Sequence, residues 1–285
     1  MSSERGEKDN INNINNIDIA IVMDCTGSMQ TWIDAAKDTA IEAFDEIRKQ
    51  YTYSTIRLGL ICYRDIGDDE RFIVSPLTEN IESIQEVLKN VRAKGGNDTS
   101  EDVAGALEKT IDLFKEGSNE YNPVRIILLV TDAPAHGLRY HPITVGDRFP
   151  NGDPDGKDPY EQVRQLAFMG VDITIFRIND IVNMMIEEFQ KAFTGTQSVF
   201  TVLDVAKQDK PHHHISSYSS SSSSSIFSSS LTNGFIDMST YDDDYKYVYG
   251  KYGLSEVSDE KSEFKLAACK SITSAIQRRS DANKE

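Results

Sequence analysis

No run in the sequence approaches the roughly 20 apolar residues that a membrane-crossing helix requires, and the opening MSSERGEKDN lacks the apolar stretch of a secretory signal. Both absences lead us to expect a chain with no membrane span and a cytoplasmic location. Positive charge is scarce: Lys and Arg number 30 against 46 Asp and Glu, a formal net charge of -16. Phosphate backbones need a dense basic surface, so nucleic acid is excluded as an expected partner, and cations or basic surfaces suit the chain better. There are three cysteines, Cys25, Cys62 and Cys269, which cannot all pair within one chain and show no CxxC spacing. They read as reduced thiols. Neither GxGxxG nor GxxxxGK[ST] follows an apolar run, which sets aside dinucleotide and P-loop phosphate binding.

Apolar runs and amphipathic stretches, by contrast, alternate regularly. With 285 residues, one large domain plus appendages is possible. Residues 1–16 are polar and rich in Asn, too poor in apolar surface to offset chain entropy, and predict a disordered arm. Strands are expected at Ile17–Met23, 55–63, 71–76, 124–131, 171–178 and 198–205, each apolar enough to be covered on both faces. Helices are expected between them. In the first, Ile33, Ala36, Ala40, Phe44 and Ile47 recur at spacings of three and four, with Ser28 placed as its N-cap. Others are read at 80–92, 101–116, 158–169 and 181–193. The alternation predicts an α/β doubly wound, mostly parallel sheet flanked by helices, with ligands at the carboxyl ends of the strands. The 17–205 domain ends in a low-complexity insert over 206–255, containing His212, His213 and His214, a Ser tract and the acidic YDDDYKYVYGKYG. A helix over 256–279, with a stripe of Phe264, Ala267, Ala268, Ile272 and Ile276, is expected to pack back on the domain, and 280–285 reads as a tail.

Chemistry concentrates at strand ends. IDIAIVMDCTGSM ends an apolar run at Asp24 and follows it with hydroxyls at Thr26 and Ser28. GGNDTSEDVAGAL offers Asn97, Asp98, Thr99 and Ser100 after a glycine pair that permits a tight turn. In VTDAPAHG, Asp132 directly follows the run VRIILLV. Carboxylate and hydroxyl oxygens suit a hard cation such as Mg²⁺. The three loops together offer enough oxygens to enclose one ion.

With these stretches the sequence resembles a von Willebrand factor type A domain carrying a metal-ion-dependent adhesion site. MDCTGSM, CYRD at 62–65, GGND with SEDV, TDAPAHG and YHPITVGDRFPNGDPDG are similar to the A-type domains of alpha-type protein kinases and hemicentin-like proteins. The resemblance implies a Rossmann-like A-type fold over about 17–205 and Mg²⁺ or Mn²⁺ held by Asp24, Thr26, Ser28, Thr99 and Asp132. In the second loop Asn97 and Asp98 remain alternatives to Thr99. It also implies a non-enzymatic, metal-dependent protein-binding module that takes an acidic side chain of a partner through the ion. No kinase activity is implied, because no separate phosphate-cradling catalytic domain follows. In adhesive relatives the terminal helix moves when the site fills.

Other residues have competing readings. Arg64 and Asp65 can support Asp24 or Asp132, or form a simple ion pair, and Asp98 is a possible additional ligand. The 136–158 stretch, with His136, His141, Asp147, Asp153 and Asp155, matches neither zinc nor EF-hand spacing and reads as an ordered surface loop beside the site. Two other functions compete. One is a metal-dependent phosphatase or phosphotransferase with Asp24 as nucleophile, although a D-x-D pattern would be usual and Thr26 replaces its second Asp. The other is a scaffold that folds around no ion.

Overall fold

The computed structural model describes residues 16–117, 123–205 and 260–282. The expected arm before Asn16, the 206–255 insert with its His triplet, and the last residues of the tail lie outside the described residues. Among the described residues, no helix is long and apolar enough to cross a membrane.

Strand alternation organises the core. In β1 (Asn16–Asp24), Ile17, Ile19, Ile21 and Met23 face one apolar cluster, while Ala20 and Val22 face a second on the opposite side of the sheet. The same division runs through β2 (Thr55–Tyr63) and β4 (Val124–Thr131). Side chains of α1 (Gln30–Gln50), α2 (Ile81–Asn90) and α6 (Glu260–Ala282) cover the first face. Those of α3 (Val103–Glu116), α4 (Pro159–Phe168) and α5 (Asn183–Ala192) cover the second. A fully buried Ile contributes about 1.5–3 kcal/mol relative to an exposed one, so the central strands carry much of the stability.

The sheet is mixed, in the order β3-β2-β1-β4-β5-β6, with β5 at Val171–Arg177 and β6 at Phe200–Asp204. All neighbours are parallel except β3 (Phe72–Thr78), which runs antiparallel to β2. The chain winds outward from β1 through β2 to β3, then returns to the other side of β1 as β4. The carboxyl ends of β1 and β4 therefore flank the point where strand order reverses, which is where open α/β sheets bind ligands. Coverage on both faces holds for the central strands and fails at the edges. In β3, Val74 is 46% exposed and Pro76 is also exposed. An edge strand has one side without a ladder partner, which is why a proline is tolerated there.

Helix α6 packs along α1. Leu266, Ala268, Cys269, Ile272, Ala275 and Ile276 are buried. Lys265 pairs with Glu42 at 3.0 Å, and Arg278 reaches Asp172 at 2.7 Å. Ser280 continues the helix and is buried, so the described part of the expected tail is helical.

Candidate metal centre

Asp24 closes β1 and is fully buried. The amide of Thr26 donates to its Oδ1 at 2.9 Å and the Thr26 hydroxyl donates to the same oxygen at 2.7 Å. That turn fixes the carboxyl and leaves Oδ2 buried without a hydrogen-bond partner. Another aspartate on the same strand shows the contrast. Asp18 is equally buried, but Arg57 grips both of its oxygens, at 2.7 and 2.8 Å. An unpaired buried charge is costly, and among the described residues no side-chain cation pairs with Asp24.

Ser28 does not cap α1 as expected. A 3₁₀ turn over Gly27–Met29 intervenes, so Ser28 sits inside that turn, exposed, and no side-chain hydrogen bond caps either helix start. Its hydroxyl is thus not spent on the cap.

The second loop is laced to the first by backbone bonds from Gly27 to Gly95 at 3.2 Å and from Lys94 to Cys25 at 3.1 Å. Gly95 and Gly96 have φ of 83° and 78°, the left-handed region that glycine adopts without strain. A Cβ on Gly96 would lie 2.7 Å from Glu101 Oε1 and 3.2 Å from Thr26 Cβ, so this glycine lets two candidate ligands approach. Asp102, not Ser100 or Glu101, caps α3, accepting from the Gly105 amide at 2.8 Å. Glu101 is therefore left on the loop. Its amide donates to the Pro134 carbonyl at 2.9 Å, stitching the second loop to the third. Its side chain is buried, with Oε2 unpartnered.

In the third loop Asp132 follows β4. Thr131 turns the chain there by donating to the Ala133 carbonyl at 2.8 Å, and Asp132 Oδ1 is buried without a partner. The electrostatics agree with this convergence. Burial, then the charge of Asp132, pushes Asp24 up from 3.8 to about 7 despite the Thr26 hydrogen bonds. Burial, then the charges of Asp24, Asp65 and Asp68, pushes Glu101 up from 4.5 to about 10. The Tyr63 phenol, at the end of β2, is also raised by burial and by Asp24.

Thr26 is thus bonded to Asp24, and Asp132 and Glu101 are coupled to it by charge on loops that backbone bonds stitch together. Thr99 is exposed, its amide bonded to the Gly146 carbonyl at 3.0 Å. Asn97 is exposed and donates to Asp68 at 3.1 Å. Asp98 accepts from the Arg148 amide. Arg64 donates to the backbone carbonyls of Glu70 and Arg92, and Asp65 accepts from His136 at 2.7 Å. The 136–158 segment is not simply a surface loop, because its own His136, Tyr140, His141 and Asp153 are buried. The unpartnered atoms Asp24 Oδ2, Asp132 Oδ1, Glu101 Oε2 and Ser100 Oγ are all oxygens, a donor set that fits a hard divalent cation.

Residues 19–135, which span these three loops, match the family profile of the von Willebrand factor type A domain. The chain contains a von Willebrand factor type A domain. It is 27% identical over 177 residues to "Alpha-protein kinase vwkA" of Dictyostelium discoideum, covering 61% of this chain and 27% of that protein. It is 28% identical over 120 residues to "Putative ariadne-like RING finger protein R811" of Acanthamoeba polyphaga mimivirus, covering 42% of this chain and 11% of that one. The chain therefore spans about a quarter or less of each relative's length. A solved structure of similar shape is the pilus adhesin SpaC of Lactobacillus rhamnosus GG in its open conformation. It aligns with TM-score 0.47 and 17% identity over 68% of this chain and 28% of that chain. Within the A-type domain, the three loops occupy the strand-order reversal.

Proposed function

We propose that this A-type domain is a non-enzymatic protein-binding module whose partner docks through a divalent cation, Mg²⁺ or Mn²⁺. The observation that carries the reading is the set of buried, unpartnered carboxylate oxygens of Asp24, Asp132 and Glu101 on three stitched loops. Asp24, Thr26, Ser28, Asp132 and Glu101 would hold the ion, with Glu101 taking the second-loop role for which Thr99 was the expectation. When bound, the cation supplies positive charge that an acidic side chain of a protein partner can complete. The chain's own residues orient that exchange: Thr26 fixes one oxygen of Asp24, and the Glu101–Pro134 bond holds the second and third loops in register.

The phosphotransferase reading needs Asp24 open to an incoming phosphoryl group. Its carboxyl is wholly buried, with one oxygen engaged by Thr26, so the geometry favours holding an ion over attack. The test is capture of partners from native lysate on immobilised protein, with Mg²⁺ and with chelator, repeated for Asp24→Ala. Partners should be retained by the unmodified protein in Mg²⁺ alone. Partners that persist through both chelation and the substitution would remove the cation from the recognition step.

A further inference from the structure

A second group of ionisable side chains lies behind the 98 loop and is not used by the site just described. One ligand atom each from Asp98, His136 and Asp147 lies within 4.8 Å of the others. Asp147 is fully occupied: its Oδ1 takes His136 Nδ1 at 2.7 Å and the Phe149 amide at 2.7 Å, and its Oδ2 takes the Gly137 amide and His141 Nε2, each at 2.8 Å. His136 is held on its other side by Asp65 Oδ1, also at 2.7 Å. An imidazole pinned between two carboxylates is an imidazolium, and both partners raise its affinity for the proton against the opposing effect of burial.

The independent observation concerns Asp65. It is completely buried, and Oδ1 is satisfied by His136 and by the Ile66 amide at 2.6 Å, yet Oδ2 has no partner. Asp65 and Asp98 lie about the same imidazole, Asp65 at 2.7 Å from Nε2 and an Asp98 oxygen within 4.8 Å of a ring nitrogen. Asp98 in turn spends Oδ2 on the Arg148 amide and keeps Oδ1 buried and unpartnered. Each of the two carboxyls therefore keeps one buried oxygen without a hydrogen-bond partner. Three carboxylates, those of Asp65, Asp98 and Asp147, surround a single imidazolium, so negative charge is in excess.

We infer that Asp65 Oδ2 and Asp98 Oδ1 form a second divalent-cation site, beside the first and independent of its ligands. Both donors are hard oxygens. Two carboxylates with the remaining positions left to water is the ligand pattern of Mg²⁺ and Mn²⁺, whereas Ca²⁺ calls for more protein oxygens. His136 stays protonated and serves as a positioning residue, holding Asp65 in place against Asp147. An ion here would tie the end of β2 to the 98 loop, the same loop that presents Glu101 to the first site.

Mn²⁺ bound per chain, counted at neutral pH from loss of the free-ion electron paramagnetic resonance signal, tests this. The unmodified chain should bind two equivalents, Asp24→Ala one, Asp98→Asn one, and the double variant none. Melting curves in chelator confirm that each variant is folded, and Asp98→Ala replaces Asp98→Asn if the latter is not. Two equivalents retained in the Asp98 variant, or a single equivalent in the unmodified chain that Asp24→Ala abolishes, would overturn the second site while leaving the first. A single equivalent lost in Asp98→Asn and kept in Asp24→Ala would support this site and sink the first. If the two carboxyls share a proton instead, no second ion binds and Asp98→Asn changes only the melting temperature, which also overturns it.

Discussion

At the scale of single residues, the proposed site rests on carboxyl groups that burial makes reluctant to ionise. Asp24 takes up protons at about 7 in the folded chain against 3.8 for an ordinary aspartate, so the folded state holds a proton that the unfolded state releases. For a carboxylate raised in this way, the metal-free protein loses stability as pH climbs from about 4 to about 7. The loss is on the order of 4 kcal/mol at its limit. Glu101, raised to about 10, extends the decline to higher pH. We expect Asp24→Asn to melt higher than the unmodified chain at pH 8 in chelator and to show little gain at pH 4, read by thermal denaturation. A melting temperature that rises across this range in the unmodified chain would contradict the assignment. Saturating Mg²⁺ should reverse the slope, because a cation binds only the deprotonated carboxylates. Gly96→Ala offers a second residue-scale test, since the new Cβ meets Glu101 Oε1 at 2.7 Å on a backbone of φ 78°. A cost of about 1–3 kcal/mol is expected, together with loss of the Mg²⁺-induced rise in melting temperature.

The residue scale is also where sequence reading fell short. Asp24 and Asp132 stand out in the sequence because an apolar run stops at or just before each of them, and Thr26 follows Asp24 by two positions. Glu101 was not legible, because Ser100, Glu101 and Asp102 all look like helix-entry residues and only the fold shows which one caps α3. The available signal was the acidic pair before VAGAL: one member caps the helix, and the other is then the last residue of the loop. The Asp65–His136–Asp147 network joins positions 71 and 11 apart along the chain, a separation that local periodicity cannot register.

At the scale of elements, continuous apolar runs recovered the strands and the 3.6-residue period the helices, since the central strands are apolar on both faces and the helices on one. The exceptions are local. The 3₁₀ turn over Gly27–Met29 displaced the start of α1, and β3 is an exposed, proline-bearing edge. Helix α6 closes the core over α1, and Ile276 within it is fully buried. Ile276→Ala should cost about 2–4 kcal/mol in urea unfolding, by lost transfer energy plus a cavity. A change under about 0.5 kcal/mol, the size usual for surface positions, would mean that α6 does not pack as described. The same packing shields Cys269, whose thiol burial pushes up to about 11, and Cys25 and Cys62 are buried as well. All three should resist an aromatic disulfide reagent until the protein unfolds.

At the scale of the whole molecule, strand order brings distant loops to one edge. Asp24 and Asp132 are separated by 108 positions, yet Asp24 ends β1 and Asp132 directly follows the neighbouring β4, with Met23 beside Val130. A net charge of -16 over the whole chain attracts cations, an attraction weakened by salt. Mg²⁺ affinity should fall between low and physiological ionic strength, and more steeply in the unmodified chain than in Asp24→Ala. The most direct test of the central claim is the anomalous difference density from crystals grown with Mn²⁺. The prediction is a peak bounded by the Asp24, Asp132 and Glu101 carboxyls. A Mn²⁺-saturated crystal with no peak at those three residues would contradict it.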